Sequence, residues 1–287
     1  MPGSNGSARL LSRTLSLHGF ASLRYDKLGS GSTGVPESYL DPDFTFGKED
    51  YLAGLAGALD TLRAKAGADT PVFVAGHSEG GLWALELARQ NPGLFRGVIL
   101  LATAGRSQCD LVVEQLDAQL QGFELSTAQR EQELDRLQAA LDHVASHGAA
   151  PPEDRLPGLP GLKSVVHAYA NPRTIGITQW LCGVDPVTLL PENGQNLLIL
   201  QGGYDQQVDA ETDGQRLHRG SPGSTIRVAP QADHVLKRLD LDGQPLNMLH
   251  ALKYNQDGRV LDPILVEALL QWLEDRVVPD AKPPESP

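Results

Sequence analysis

Cysteine is nearly absent from this 287-residue chain, which holds only Cys109 and Cys182. Neither their spacing nor their neighbours suggests a metal site or a disulfide framework, so both read as buried or incidental thiols. Long apolar runs are missing as well. None approaches the roughly 20 residues needed to cross a bilayer, and no membrane partner is expected. Basic charge is scarce, with 24 Lys and Arg against 36 Asp and Glu and a formal net charge of -12. That balance argues against nucleic acid, because binding a polyanion requires clustered cations; the acidity reads as solubility. Residues 1–19 lack a basic segment followed by an uninterrupted apolar stretch, so no secretory leader is expected and a cytoplasmic protein is. No internal repeat is evident.

What is present suits a sizeable core: 40% of residues are hydrophobic, and a chain of this length can bury roughly 70–75% of its unfolded surface. Ser7 to Leu17 suits a short helix capped by Gly19. Ala21 to Tyr25 reads as a strand, residues 26–34 as a Gly- and Ser-rich loop, and Lys48 to Lys65 as an amphipathic helix. Further buried strands are expected near Val72, at Gly97 to Ala102, Asn196 to Gln201 and Ser224 to Ala229. Short apolar strands alternating with helices predict an α/β fold with a mostly parallel sheet covered on both faces.

Residues 105–190 differ in character. Ser126 to His143 is a polar helical stretch with a Ser126/Gln129 capping box, Gly148 to Pro160 must be loop, and Val165 to Trp180 turns apolar again. An insertion placed at the strand ends is expected to form a helical cap over a site. The division is therefore core at 1–104, cap at 105–190, core again at 191–278, and a disordered tail at 279–287.

The densest signal is Val72-Phe73-Val74-Ala75-Gly76-His77-Ser78-Glu79-Gly80-Gly81, where an apolar strand breaks into Gly-x-Ser-x-Gly and an apolar helix follows. Such a nucleophile elbow strains the serine backbone between small neighbours, Gly76 and Gly80, and lifts the hydroxyl clear at a helix N-terminus. A serine hydroxyl needs a base to take its proton and a carboxylate to orient that base. Asp205 lies just past one expected strand and His234 just past the next. Asp209 looks like a helix N-cap, and Asp233 sits too close along the chain to meet the histidine ring easily. His77 reads as a packing or hydrogen-bonding residue. The order Ser78, Asp205, His234 is that of an α/β-hydrolase triad.

The elbow, the segment Leu23-Arg24-Tyr25-Asp26-Lys27-Leu28-Gly29-Ser30-Gly31-Ser32, the turn Gly202-Gly203-Tyr204-Asp205 and the end Asp233-His234-Val235-Leu236-Lys237 resemble the α/β-hydrolase superfamily. They most resemble its bacterial serine esterase and serine-aminopeptidase-like branch, from about Pro2 to Leu273. The resemblance implies that Ser78 attacks an acyl carbonyl, His234 shuttles the proton, Asp205 holds the imidazole, and water releases the acyl-enzyme. It also implies an oxyanion hole from the N–H of Glu79 and a second N–H near Gly3-Ser4-Asn5, with Ser4 as the candidate. No metal or organic cofactor is expected. The expected substrate is a small-molecule ester of small to medium acyl size. Alternatives are an aminopeptidase or amidase acting on short peptides, whose amino-group carboxylate (Glu124, Glu131, Glu133 or Asp135) is left open, and a non-catalytic binder.

The resemblance carries one departure. In the family a turn like Pro2-Gly3-Ser4 follows a central buried strand, whereas here it opens the sequence. N-terminal strands are then expected to be missing, including one between the Ala21 and Val72 strands. Either those two pair directly or an unpaired strand edge is exposed.

Overall fold

The computed structural model describes residues 6–277 other than 28, 35, 36, 42, 68 and 242. Strands β1 (Phe73–His77), β2 (Gly97–Leu101), β3 (Leu197–Gly202) and β4 (Thr225–Ala229) form one parallel sheet in the order β1-β2-β3-β4. Every residue of β2 and β3 is buried, as expected of strands covered on both faces. On one face Ile99, Leu101, Leu198 and Leu200 pack against Leu269 and Trp272 of α9 (Pro263–Val277). On the other, Val98, Leu100, Leu197 and Ile199 meet Ala84 and Leu85 of α3 (Glu79–Gln90) and Leu217 of α8 (Gln215–Gly220). The side-chain period of two thus divides each strand between two cores.

The flank beside β1 corrects one expectation. Ala21 to Tyr25 forms no strand: residues 21–27 have no ladder partner. Val72 O accepts from Arg96 N (2.7 Å) and Ser78 N donates to Leu101 O (2.8 Å). Even-numbered residues of β1 therefore face β2, and Phe73, Ala75 and His77 turn their backbone groups to the open side. Between that side and helix α1 (Ser7–Leu17) lies a cavity of 570 Å³ lined by residues including Leu11, Leu15, Phe20, Phe73 and Leu269. A ladder needs strands about 4.8 Å apart, and here Ser22 and Leu23 face Phe73 and Ala75 across this cavity instead of pairing with them. Of the two expected outcomes, the open edge is the one observed, and Ala75 is exposed in the middle of β1.

Helix α2 (Lys48–Ala66) packs on α3. The insertion contains α4 (Gln108–Leu120), α5 (Thr127–His147), α6 (Pro160–Tyr169) and α7 (Ile175–Gly183) around its own apolar cluster, including Leu137, Leu141, Val144 and Val166. The Ser126/Gln129 capping box forms as expected. Both ends of the insertion are tied to the π-helical turn Ala210–Gly214 and to α8. Asp213 accepts from Gly105 N (3.0 Å) and from Arg106 (2.9 and 2.8 Å), while Arg216 pairs with Asp185 at 2.7 and 2.8 Å.

The two cysteines are not incidental thiols. Cys109 of α4 and Cys182 of α7 form a disulfide, with Cα atoms 4.9 Å apart. Their partnership arises from α4 packing on α7 and leaves no trace in a sequence separation of 73. Closing a loop of that length stabilises a fold by typically 2–4 kcal/mol. Reduction, or Cys109→Ser with Cys182→Ser, is expected to lower the unfolding free energy by about that amount. The check is a fall in the urea midpoint, with thiol titration of the denatured chain. Two free thiols in unreduced protein, with an unchanged midpoint, would dismiss the cross-link.

Candidate active site

Ser78 joins β1 to α3 with φ 55° and ψ -126°, a region that side-chain-bearing residues rarely occupy. The cause is a close approach of strand end and helix start: a Cβ on Gly76 would stand 2.0 Å from Gly80 O. The requirement at position 80 is absent, since a Cβ there meets nothing within 4 Å. The second tight site is Gly81, where a Cβ would lie 2.1 Å from Thr103 Oγ1. The expectation of two small neighbours is therefore corrected from 76 and 80 to 76 and 81. Glu79 opens α3, so its N–H has no acceptor within the helix and stands beside the serine. Its carboxylate accepts from Trp83 Nε1 at 2.9 Å.

Asp205 and His234 come together from the ends of β3 and β4. His234 Nδ1 lies 2.8 Å from Asp205 Oδ2, with both residues buried. Asp205 Oδ1 accepts from Gln207 N (2.8 Å) and Val208 N (3.0 Å), so both carboxylate oxygens are engaged and the ring faces a fixed acceptor. An acceptor at Nδ1 places the proton there and leaves Nε2 with its lone pair. The His234 ring stands 4.9 Å, centroid to centroid, from that of His77, the residue preceding Ser78. Ser78 Oγ makes no hydrogen bond to His234 in this arrangement; such contacts often close only around substrate. Ser4 and its neighbours lie outside the described residues.

The other acids fall where the sequence put them. Asp209 accepts from Thr212 N at 2.6 Å as an N-cap. Asp233 instead accepts from Val235 N and Lys237 N (3.2 and 3.1 Å).

A family model described as serine aminopeptidase, S33, matches residues 4–147, half of the chain. The chain belongs to that family. Solved structures carry the same fold: Est1E from Butyrivibrio proteoclasticus, with bound ferulic acid, is 15% identical, with a TM-score of 0.53 over 95% of this chain and 84% of that one. A thermophilic esterase from Thermogutta terrifontis is 16% identical, with a TM-score of 0.51 over 97% and 88%. CumD, a meta-cleavage product hydrolase from Pseudomonas fluorescens IP01, is 16% identical, with a TM-score of 0.50 over 95% and 86%. Among curated proteins none matches. These likenesses establish the α/β-hydrolase fold. No helix among the described residues is long and apolar enough to cross a membrane.

In this S33-family chain one neighbour of the site, Arg259, escaped the sequence reading, while His77 packs and hydrogen-bonds as expected. Arg259 Nη1 approaches Asp233 Oδ2 at 2.7 Å, off the hydrogen-bonding direction, and donates to Lys253 O, while Nη2 donates to both Lys237 O and Arg238 O. Burial nevertheless pushes the Asp233 carboxyl up, the Arg259 charge opposing it. His77 Nε2 lies 2.7 Å from His234 O. A carbonyl can only accept, so that nitrogen carries the ring proton. Arg259 sits 26 residues from Asp233 in a stretch without regular pattern, and no local signal marks it.

Two outcomes follow from these geometries. Gly76→Ala is expected to abolish folded, elbow-containing protein, whereas Gly80→Ala should melt at or slightly above the wild-type temperature, gaining up to about 1 kcal/mol of helix propensity. Circular dichroism melts decide it, and equal losses in both variants would refute the one-sided contact. The second concerns pH. Burial first, and the neighbouring His234 second, lower His77 from the ordinary 6.5 to about 4. Below pH 6.5 the unfolded chain takes a proton that the folded chain refuses, so this residue's contribution is intact above 6.5 and falls with acid. Between pH 7 and 5 the loss reaches at most about 2 kcal/mol. His77→Gln should flatten that part of the urea-midpoint profile; an unchanged slope would contradict the assignment.

Proposed function

We propose that this α/β-hydrolase is a serine hydrolase that cleaves small to medium carboxylic esters through an acyl-enzyme. The observation carrying the reading is a buried imidazole, locked to a satisfied carboxylate through Nδ1, beside a strained serine at a helix N-terminus. In that reading His234 Nε2 takes the Ser78 proton as Oγ bonds to the acyl carbon, and the C=O electron pair moves onto oxygen. The N–H of Glu79 stabilises the oxyanion, with Ser4 as the proposed second donor. Collapse of the tetrahedral species expels the alcohol, which receives the proton from His234. Water, deprotonated by the same nitrogen, then releases the acid.

We assign residues 105–190 the role of a cap. One contact supports it: Gln115 of α4 donates to Gln207 O (2.9 Å), two residues past Asp205. The family's own description supports a second reading, hydrolysis of short peptides with a free amino terminus. The expected cytoplasmic location is compatible with the fold only if Cys109 and Cys182 stand reduced there, since disulfides seldom persist in a reducing compartment.

A fluorophosphonate probe tests the chemistry. Wild type should label and Ser78→Ala should not, while His234→Ala should lose roughly 10⁴-fold or more in ester turnover. Folded wild type that fails to label would leave a non-catalytic binder. A panel of aryl esters and aminoacyl anilides separates the two substrate readings, with faster turnover of anilides favouring the peptide.

A further inference from the structure

We infer that His77 is a positioning residue: its Nε2–H holds the backbone carbonyl of His234 and thereby sets the distance between the imidazole and the neighbouring Ser78. The inference rests on the acyl-transfer reading above and adds a residue to it. His77 ends β1, where it pairs in register with Leu101, and directly precedes the nucleophile. Its side chain is thus anchored in the same rigid strand end that carries Ser78. The carbonyl it grips at 2.7 Å belongs to residue 234 itself, bonded to the Cα from which the imidazole projects.

The remaining ties of that turn act elsewhere. Asp233 accepts from Val235 N and Lys237 N and is faced by Arg259. Ser7 of α1 donates to Val235 O at 2.7 Å. Leu236 is held at φ 62°, which gives the turn a conformation of its own. These contacts shape the turn, yet they come from α1 and the chain after β4, and the bonds of Asp205 to His234 and of Tyr204 N to Ala232 O tie it to the end of β3. Among the described residues, His77 supplies the hydrogen bond between the turn and the nucleophile strand. Because the ring stays neutral down to about pH 4, it keeps a single N–H, and the carbonyl acceptor places that hydrogen on Nε2. The two rings also pack together, so the contact restrains orientation as well as distance.

A displacement of about 1 Å between reacting groups can cost about 10²-fold in rate. His77→Leu removes the donor, and His77→Asn keeps an amide that stops short of the Nε2 position; both are expected to lower kcat about 10²-fold per active site with KM changed only a few-fold. His77→Gln, whose amide nitrogen reaches that position, should recover kcat to within about tenfold of wild type, the remainder reflecting lost ring packing. Active sites are titrated with the fluorophosphonate, so that misfolded protein is excluded from the count. A kcat per titrated site within threefold of wild type in His77→Leu or His77→Asn would overturn the inference. So would Gln as defective as Leu, which would assign the effect to packing. Folded wild type that the probe does not label would instead overturn the acyl-transfer reading, and this inference with it.

Discussion

The site depends on one steric contact, the approach of Gly76 to the carbonyl of Gly80. Because Gly76 and Gly80 nearly touch there, the three residues between them have little choice of backbone. Ser78 is left at φ 55° with its hydroxyl outside the sheet, and His77, one residue earlier, is turned toward the end of β4. The same contact sets where α3 begins, and therefore where the unpaired N–H of Glu79 lies. Gly81 against Thr103 then seats the first turn of α3 on the segment leaving β2. A close approach of backbone to backbone thus becomes a placement of reactive atoms, without any charged residue taking part.

Asp205 stands three positions past the end of β3 and Asp233 four past the end of β4, and burial treats them differently. Asp205 meets its hydrogen-bonding capacity with two backbone N–H groups and the imidazole. A buried carboxylate satisfied in this way needs no cation. Asp233 also accepts two backbone N–H groups, but its outer oxygen has only an off-axis guanidinium, and its carboxyl is pushed up. One acid holds the His234 imidazole while the other organises the turn that carries it. Neighbouring carboxylates on one loop pair are kept from competing because each is committed to a different set of N–H donors.

How much of this was legible in the sequence follows from the range of each interaction. The elbow was readable because its geometry lies within six residues, and the helices α1, α2 and α5 because caps and periodicity are local. Asp205 and His234 were found because both follow short apolar strands almost at once, and parallel strands put such turns on one rim. The strand expected at Ala21 to Tyr25 failed because a strand is defined by its neighbour, and here the segment faces β1 across a 570 Å³ cavity instead of pairing with it. The disulfide and Arg259 were illegible for the same reason: each partner was chosen by tertiary packing. At Gly80 the motif suggested a constraint that the space around the residue does not impose.

The helical insertion is restrained by two chemistries that divide its interior from its ends. Inside, Cys109 and Cys182 join its first and last helices across an apolar cluster, so α4 and α7 cannot separate while the bond stands. At the ends, Arg106 and Asp185 are held through Asp213 and Arg216, which stand in and immediately after the π-helical turn a few residues beyond Asp205. Asp213 is fully buried and its carboxylate holds the Arg106 guanidinium above its usual range, so that anchor is screened little by salt. Gln115 adds a neutral link to Gln207 O inside the acid turn itself. The segment that fixes Asp205 is therefore also the segment from which the insertion hangs.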